Sequence, residues 1–233
     1  TYRHLQDLEN MGFVEKNPLT THYRLGPAIL QLAQTREITV PRKSGAEAVL
    51  RELADATGET THVSVLSGST VYALTSCESS QHGTRVIIDI QTFPLHATAS
   101  GICALAFGPA ELIDVAKGDL RSFTPKTVTN IDDLEVAVQD ARAEGFGTAV
   151  SSFEDDVHSL ATPVYDQTGV FAGSVSVASV ATRLTPELER TIRAHLISAS
   201  RQITRNWGGA IPTNLERVWE QASSNPHSLE TTP

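Results

Sequence analysis

The sequence predicts an α+β fold with an antiparallel sheet, and three observations carry that reading. Short stretches of alternating polarity come in pairs about turn residues, longer stretches with helical spacing separate them, and several of the latter stop at a glycine. With 233 residues, 40 % of them hydrophobic, the chain can bury the core of one large domain, or of one ordinary domain and a smaller one.

Leu5, Leu8 and Met11 recur at helical spacing before Gly12, which predicts a helix ending near Met11. "FVEK" (13–16) and "HYRL" (22–25) flank the turn-forming "NPLTT", a pattern for a β-hairpin. A helix followed directly by a hairpin is the second half of a winged helix-turn-helix, here over 1–26. Pro27 then opens an apolar-periodic linker helix reaching residue 40. The body starts near Pro41 with a helix carrying Val49, Leu50 and Leu53 and closed by Gly58. "TTHVSVLSG" and "STVYALTS" form a hairpin about Gly68-Ser69, and "TRVIIDI" (84–90) is read as a further strand. "ATASGICALAF" (97–107) turns helical, and "IDDLEVAVQDARAEG" (131–145) is a longer amphipathic helix. "VHSLATPVYD" (157–166) and "VFAGSVSVAS" (170–179) are strands flanking a DQTG turn. Thr185 as N-cap and Pro186 in the first turn start the last long helix, with Leu188, Ile192, Leu196, Ala199 and Ile203 on its buried side. The polar, Pro-containing tail from Ser223 leaves 208–233 as a partly disordered extension to a body spanning 41–207.

The net charge of -9 speaks against a broad nucleic-acid-binding surface, yet the charge is unevenly spread. Residues 1–43 carry six basic against four acidic side chains, or +2, which leaves -11 for the remainder. A small DNA-contacting module on an acidic body has this distribution. No apolar run approaches the ~18–20 residues needed to cross a bilayer, and no secretory leader pattern occurs, so a cytoplasmic protein without membrane contact is expected. The two cysteines, Cys77 and Cys103, and the eight histidines lack metal-ligand spacing. With no GxSxG elbow, P-loop or HExxH either, neither a cofactor, a metal nor a catalytic residue is expected.

Three places have the residue types of a binding site. Arg3, Gln6 and Asn10 share one face of the first helix, where Arg suits guanine and Gln or Asn suits adenine in a major groove. Thr1 and Tyr2 suit phosphates, and Lys16, Thr20, Thr21, His22 and Arg24 suit a wing against the backbone. An ordinary solvated helix face has the same composition, and the adjoining hairpin is what favours DNA. Second, "PLHATASG" (94–101) puts the small residues Ala97, Ala99, Ser100 and Gly101 at a helix start whose free amides attract an anion, or else merely pack tightly. Third, Val170, Ala172, Ser174, Ser176 and Ala178 share one strand face and Val157, Ser159 and Ala161 another. Such small faces leave room for a ligand or for a closely packed helix. The acidic "FEDD" (153–156) carries enough charge to bind a cation, but a solvated loop is the favoured reading.

In order and spacing, "TYRHLQDLENMGFVEKNPLTTHYRLGPAILQLA", "GETTHVSVLSGSTVYAL", "PLHATASG", "ARAEGFG", "LATPVYDQTGVFAGSVSVAS" and "RLTPE" resemble the IclR family of bacterial transcription regulators, from Thr1 to about Trp207. The resemblance implies a winged helix-turn-helix followed by a GAF-like effector-binding domain, acting as a homodimer or tetramer on double-stranded operator DNA, as repressor or activator. It implies DNA contacts from Thr1, Tyr2, Arg3, Gln6, Lys16, Thr21, His22 and Arg24. The effector pocket would draw on Ala99, Ser100, Gly101, Ser152, Ser159, Ser176 and Ala178, and organic or aromatic acids are among the ligands so implied. The family also places two helices before Thr1, so this chain alone is expected to bind an operator poorly.

Several positions depart from the family pattern. Ser151 and Ser152 replace carboxylates, Ser159 stands for a frequent Cys, and "SGIC" replaces "SGKA". A pocket with fewer hydrogen-bonding groups is inferred, open to a larger or less polar effector. A small-molecule-converting enzyme on the same fold, and a sensory or dimerisation module without DNA binding, are the alternative readings.

Overall fold

The computed structural model describes residues 2–20, 22–39 and 41–224 of the chain. Thr1, Thr21 and the side chain of Tyr2, named above as DNA contacts, lie outside the described residues. The chain divides into two units, Thr1–Ser44 and Gly45–Pro233.

In the first unit, helix α1 (Tyr2–Asn10) ends where Phe13 N–H reaches Leu8 O and Gly12 N–H reaches Glu9 O, both at 2.9 Å. This double closure needs a left-handed residue, and Gly12 supplies it at φ 73°. Strands β1 (Val14–Lys16) and β2 (Tyr23–Leu25) pair antiparallel, Glu15 opposite Arg24. In the turn between them Asn17 Oδ1 accepts from Leu19 N and Thr20 N, the local bond for which Asn is favoured in turns. Helix α2 (Ala28–Thr39) follows Pro27.

The second unit is built on a six-stranded antiparallel sheet of order β5-β4-β3-β8-β7-β6. After α3 (Arg42–Thr57), strands β3 (Thr60–Ser67) and β4 (Thr70–Cys77) form the expected hairpin about Gly68. Residues 84–90 do not form the expected strand. That segment runs as a strap without a strand partner among the described residues, and β5 (Thr92–Phe93), which follows it, pairs with β4. Helices α4 (Ala99–Phe107), α5 (Leu112–Lys117) and α6 (Ile131–Glu144) follow, then β6 (Gly147–Val150), β7 (Val157–Tyr165) and β8 (Phe171–Val180). A 3-10 turn (Ala181–Arg183) leads into α7 (Pro186–Asn206), capped by Thr185 as its sequence implies.

Helix α4 lies against the sheet face carrying His62, Ala161 and Ser176, and α7 packs along β7 and β8 with Ile192, Leu196 and Ile203 fully buried. Small residues let α4 come close. A Cβ on Gly147 would stand 2.4 Å from Ala99 O and 2.5 Å from Cys103 N. The extension beyond Trp207 holds a helix not read from the sequence, α8 (Thr213–Ser224). Its Leu215 and Trp219 are buried, and Trp219 Nε1 donates to Gly145 O at 3.3 Å. Gly145 closes α6 at φ 82°, and a Cβ there would stand 2.4 Å from Trp219 Nε1.

Trp219→Ala empties this contact. A loss of about 3–5 kcal/mol is expected, seen as a fall of the second unit's melting temperature on the order of 10 °C. A variant that melts within two degrees of the parent would show α8 to be dispensable.

Candidate functional site

Beside the start of α4 the small-residue face of the sheet continues past the helix, and a cavity opens there. Ala149, Ser159 and Ala178 form its sheet wall, Ala97–Ser100 the helix wall, and the strap residues Val86–Ile90 with Ser152–Glu154 its outer sides. About 50 Å³ is open to the centres of water-sized molecules, several times the ~10–15 Å³ that one water requires. Most of the lining is apolar, with Val86, Ile88, Ile90, Phe93, Phe153 and Val157 facing in.

His62 on β3 sits at the inner end, 4 % exposed, with its ring stacked on Phe93 at 4.8 Å between centroids. Its Nε2 lies 3.2 Å from Ser100 Oγ. Ser176 Oγ is 3.0 Å from Nδ1 and 2.8 Å from Nε2, and one oxygen that near both nitrogens stands over the ring rather than in its plane. Burial lowers the His62 pKa to about 4, so the ring is neutral at pH 7.

The helix start is fixed by its own cap. Thr98 Oγ1 accepts from Gly101 N at 3.0 Å and donates to Pro94 O at 2.9 Å. Among the described residues the amides of Ala99 and Ser100 have no protein partner, as first-turn amides commonly lack one. The strap is held at both ends. Thr60 Oγ1 donates to Val86 O at 2.6 Å, Arg183 Nη1 to Thr84 O at 3.1 Å, and Ala73 N to Gln91 O at 2.9 Å. Arg183 is itself locked in a two-pronged ion pair with the fully buried Glu59. Between these anchors, 87–90 make no backbone hydrogen bond among the described residues, and Ile87 is 58 % exposed. Across the mouth, Thr124 Oγ1 donates to Ser151 O and Thr127 Oγ1 to Ser152 O, both at 2.6 Å. Ser151 (φ 51°) and Asp156 (φ 59°) bend this loop through left-handed backbone that non-glycine residues seldom adopt.

The structure brings Ala99, Ser100, Ser152, Ser159 and Ala178 into one lining. Gly101 and Ser176 stand one layer behind it. A Cβ on Gly101 would meet Pro94 O at 2.3 Å, and the Ser176 hydroxyl is turned onto His62. Sequence reasoning passed over His62, Phe93 and Asp89, and read Phe153 and Glu154 as part of a solvated loop, whereas all five line the cavity. For His62 the signal was its alternation with Thr60 and Ser64 on a strand that pairs with β8, which sets it opposite Ser176.

In the first unit Arg3, Gln6 and Asn10 are exposed on α1, and Lys16 and His22 are exposed on the wing. Arg24 is paired with Glu15 at 2.6 Å. An exposed pair of this kind contributes little and yields to a phosphate. No helix among the described residues is long and apolar enough to cross a membrane.

Residues 40–205 match the family model of the bacterial transcriptional regulator IclR C-terminal domain. The glycerol operon regulatory protein of Streptomyces coelicolor is 28 % identical over 201 residues, covering 86 % of this chain and 78 % of that protein. Its counterpart in Streptomyces griseus is 30 % identical over 183 residues, covering 78 % and 72 %. The crystal structure of an IclR transcriptional regulator from Silicibacter sp. TM1040 superposes with a TM-score of 0.85 at 36 % identity, covering 91 % of this chain and 84 % of that one.

The neutral His62 makes a testable contribution to acid stability. Its folded pKa of about 4 lies below the ordinary value of 6.5, so the stability it allows is complete above pH 6.5 and is lost progressively as the pH falls toward 4. Urea midpoints measured from pH 7 to pH 4 should fall less steeply in His62→Phe than in the parent. Identical slopes would place the acid sensitivity elsewhere.

Proposed function

This chain belongs to the IclR family of bacterial transcriptional regulators, and we propose that a small molecule held in the cavity beside α4 sets its affinity for operator DNA. The observation that carries the proposal is the cavity itself. It is a half-open, mostly apolar cleft with a few polar groups along its lining, the ordinary make-up of a small-molecule site. Its walls come from β7, β8, the start of α4 and two loops, so a ligand there touches elements far apart in sequence and can favour one arrangement of them.

On this reading the exposed face of α1 carries base contacts through Arg3 and Gln6, and the wing carries backbone contacts through Lys16, His22 and Arg24. Helix α2 links the two functions in the chain, and coupling between ligand and operator is reciprocal: what weakens one weakens the other by the same factor. The active species is a homodimer or tetramer in the cytoplasm, with repression or activation set by where the operator lies. The relatives described above are regulators by name, which favours this reading over the enzyme alternative.

An electrophoretic shift of the full-length protein on DNA upstream of its own gene tests the proposal. Arg3→Ala or Gln6→Ala should each weaken specific binding by about 5- to 150-fold, while Lys16→Ala should weaken all sequences alike and lower the salt slope by about 1. Compounds that raise the melting temperature should also move the operator midpoint. An operator midpoint unmoved by any compound that stabilises the protein would contradict the coupling.

A further inference from the structure

We propose that Arg183 is a positioning residue of the cavity. Its guanidinium ties the strap to the three-residue turn that also holds the 151–157 loop, so one joint at the head of α7 carries both sides of the mouth. This rests on the reading of the cavity as the effector site, but the variants that test it need no ligand and can fail without touching that reading.

The strap borders the cavity through Val86–Ile90, and the loop borders it through Ser152–Glu154 and Val157. Both are fastened to the 3-10 turn Ala181–Arg183, which lies between the end of β8 and the Thr185 cap of α7. Arg183 Nη1 donates to Thr84 O at 3.1 Å, just before the lining begins at Val86. On the other side Ala181 N donates to Asp156 O at 2.7 Å, next to the lining residue Val157. Asp156 stands at φ 59°, a conformation that persists where its surroundings hold it.

The turn is itself fixed by Glu59, which is fully buried directly behind Gly58. Arg183 Nε and Nη2 donate to its two carboxylate oxygens at 2.5 and 2.7 Å. A guanidinium is planar with its donors in set directions, so once Nε and Nη2 lie on Glu59 the position of Nη1, and with it Thr84, is given. Matching the charge of Glu59 requires only the first two bonds. The third, to the strap, is what assigns Arg183 to the cavity. A second fastening, from Thr60 Oγ1 to Val86 O at 2.6 Å, holds the strap to the sheet without involving the turn. Beyond the turn, α7 runs for 21 residues, about 30 Å of helix, and Asn206 Nδ2 at its end donates to Gly45 O in α3 at 2.8 Å. The joint therefore sits at the head of the helix that reaches α3, the element following α2.

Native-state proteolysis of the 233-residue chain reads the two sides of the mouth separately. Trypsin cuts after Arg85 beside the strap's anchor, and a glutamate-specific protease cuts after Glu154 on the loop; cleavage of a folded chain follows local opening. In Arg183→Lys, Glu59 keeps a cation but the planar fork is lost. Cleavage after Arg85 should rise about tenfold, as for the loss of a hydrogen bond to a charged group, while the melting temperature stays within about 3 °C of the parent. Glu59→Gln/Arg183→Gln frees the turn without leaving a buried charge unmatched, and cleavage should rise about tenfold at both sites, with cleavage after Lys117 on α5 unchanged. Thr60→Val removes only the fastening to the sheet, so cleavage after Arg85 should rise and cleavage after Glu154 should not. A parental rate after Arg85 in Arg183→Lys would show that Arg183 merely neutralises Glu59 and would overturn its positioning role. The joint would be overturned by a parental rate after Glu154 in the double variant, by a rise there that extends equally to Lys117, or by an equal rise at both sites in Thr60→Val.

Discussion

The close seating of α4 on the sheet is the constraint on which the second unit depends. Gly147 leaves no room for a side chain between β6 and the helix, Gly101 lets the first turn lie against Pro94 and Leu95, and Ala161 and Ser176 keep the adjoining strands low. A helix that near the sheet leaves little room beneath it, so the face under α4 is mostly glycine, alanine and serine, with His62 the large side chain among them, reaching Ser100 at the helix start. Where the helix begins, the same small residues run on through Ser159 and Ala178, which face the cavity instead of the helix. The cavity is the part of a tightly packed interface that the helix does not cover.

Several polar side chains buried near that interface are paired, as the low local dielectric favours. Ser64 and Ser174 share a hydrogen bond at 2.8 Å, and His62 is enclosed by Phe93, Ser100 and Ser176. The costliest group, the fully buried Glu59 carboxylate, is matched by the Arg183 guanidinium, which also fixes the strap through Thr84. Losing one partner of such a pair leaves a buried charge unmatched, which is why the pair works better as an anchor than as a source of net stability. The strap is therefore anchored at its ends and, among the described residues, makes no backbone hydrogen bond between them, and that part borders the cavity.

Much of the fold is legible in the sequence because local signals agree with tertiary demands. Gly12, Gly58 and Gly145 all stop helices with positive φ, and Thr98, Asn130 and Thr185 all cap them. The strand expected at 84–90 fails for a definite reason. "TRVIIDI" has β-forming residues, but its apolar side chains are used to line a cavity and Val86 O is taken by the Thr60 hydroxyl instead of a ladder partner. Helix α8 was legible and passed over, since Leu215 and Trp219 lie four apart behind Pro212, while the polar residues around them suggest a loose tail. Of the site, the small residues are visible because their faces follow strand period. His62, Phe93 and Asp89 are not, because the pairing of distant segments brings them together and no local spacing encodes it.

Regulation here rests on one claim, that a ligand in the space between the strap, the start of α4 and the 151–157 loop is what the second unit senses. Amide hydrogen exchange, with and without a compound that raises the melting temperature, tests it most directly. The account predicts slowed exchange concentrated in 84–93, 97–103 and 150–160. Stabilisation with these segments unchanged and protection gathered elsewhere would contradict it.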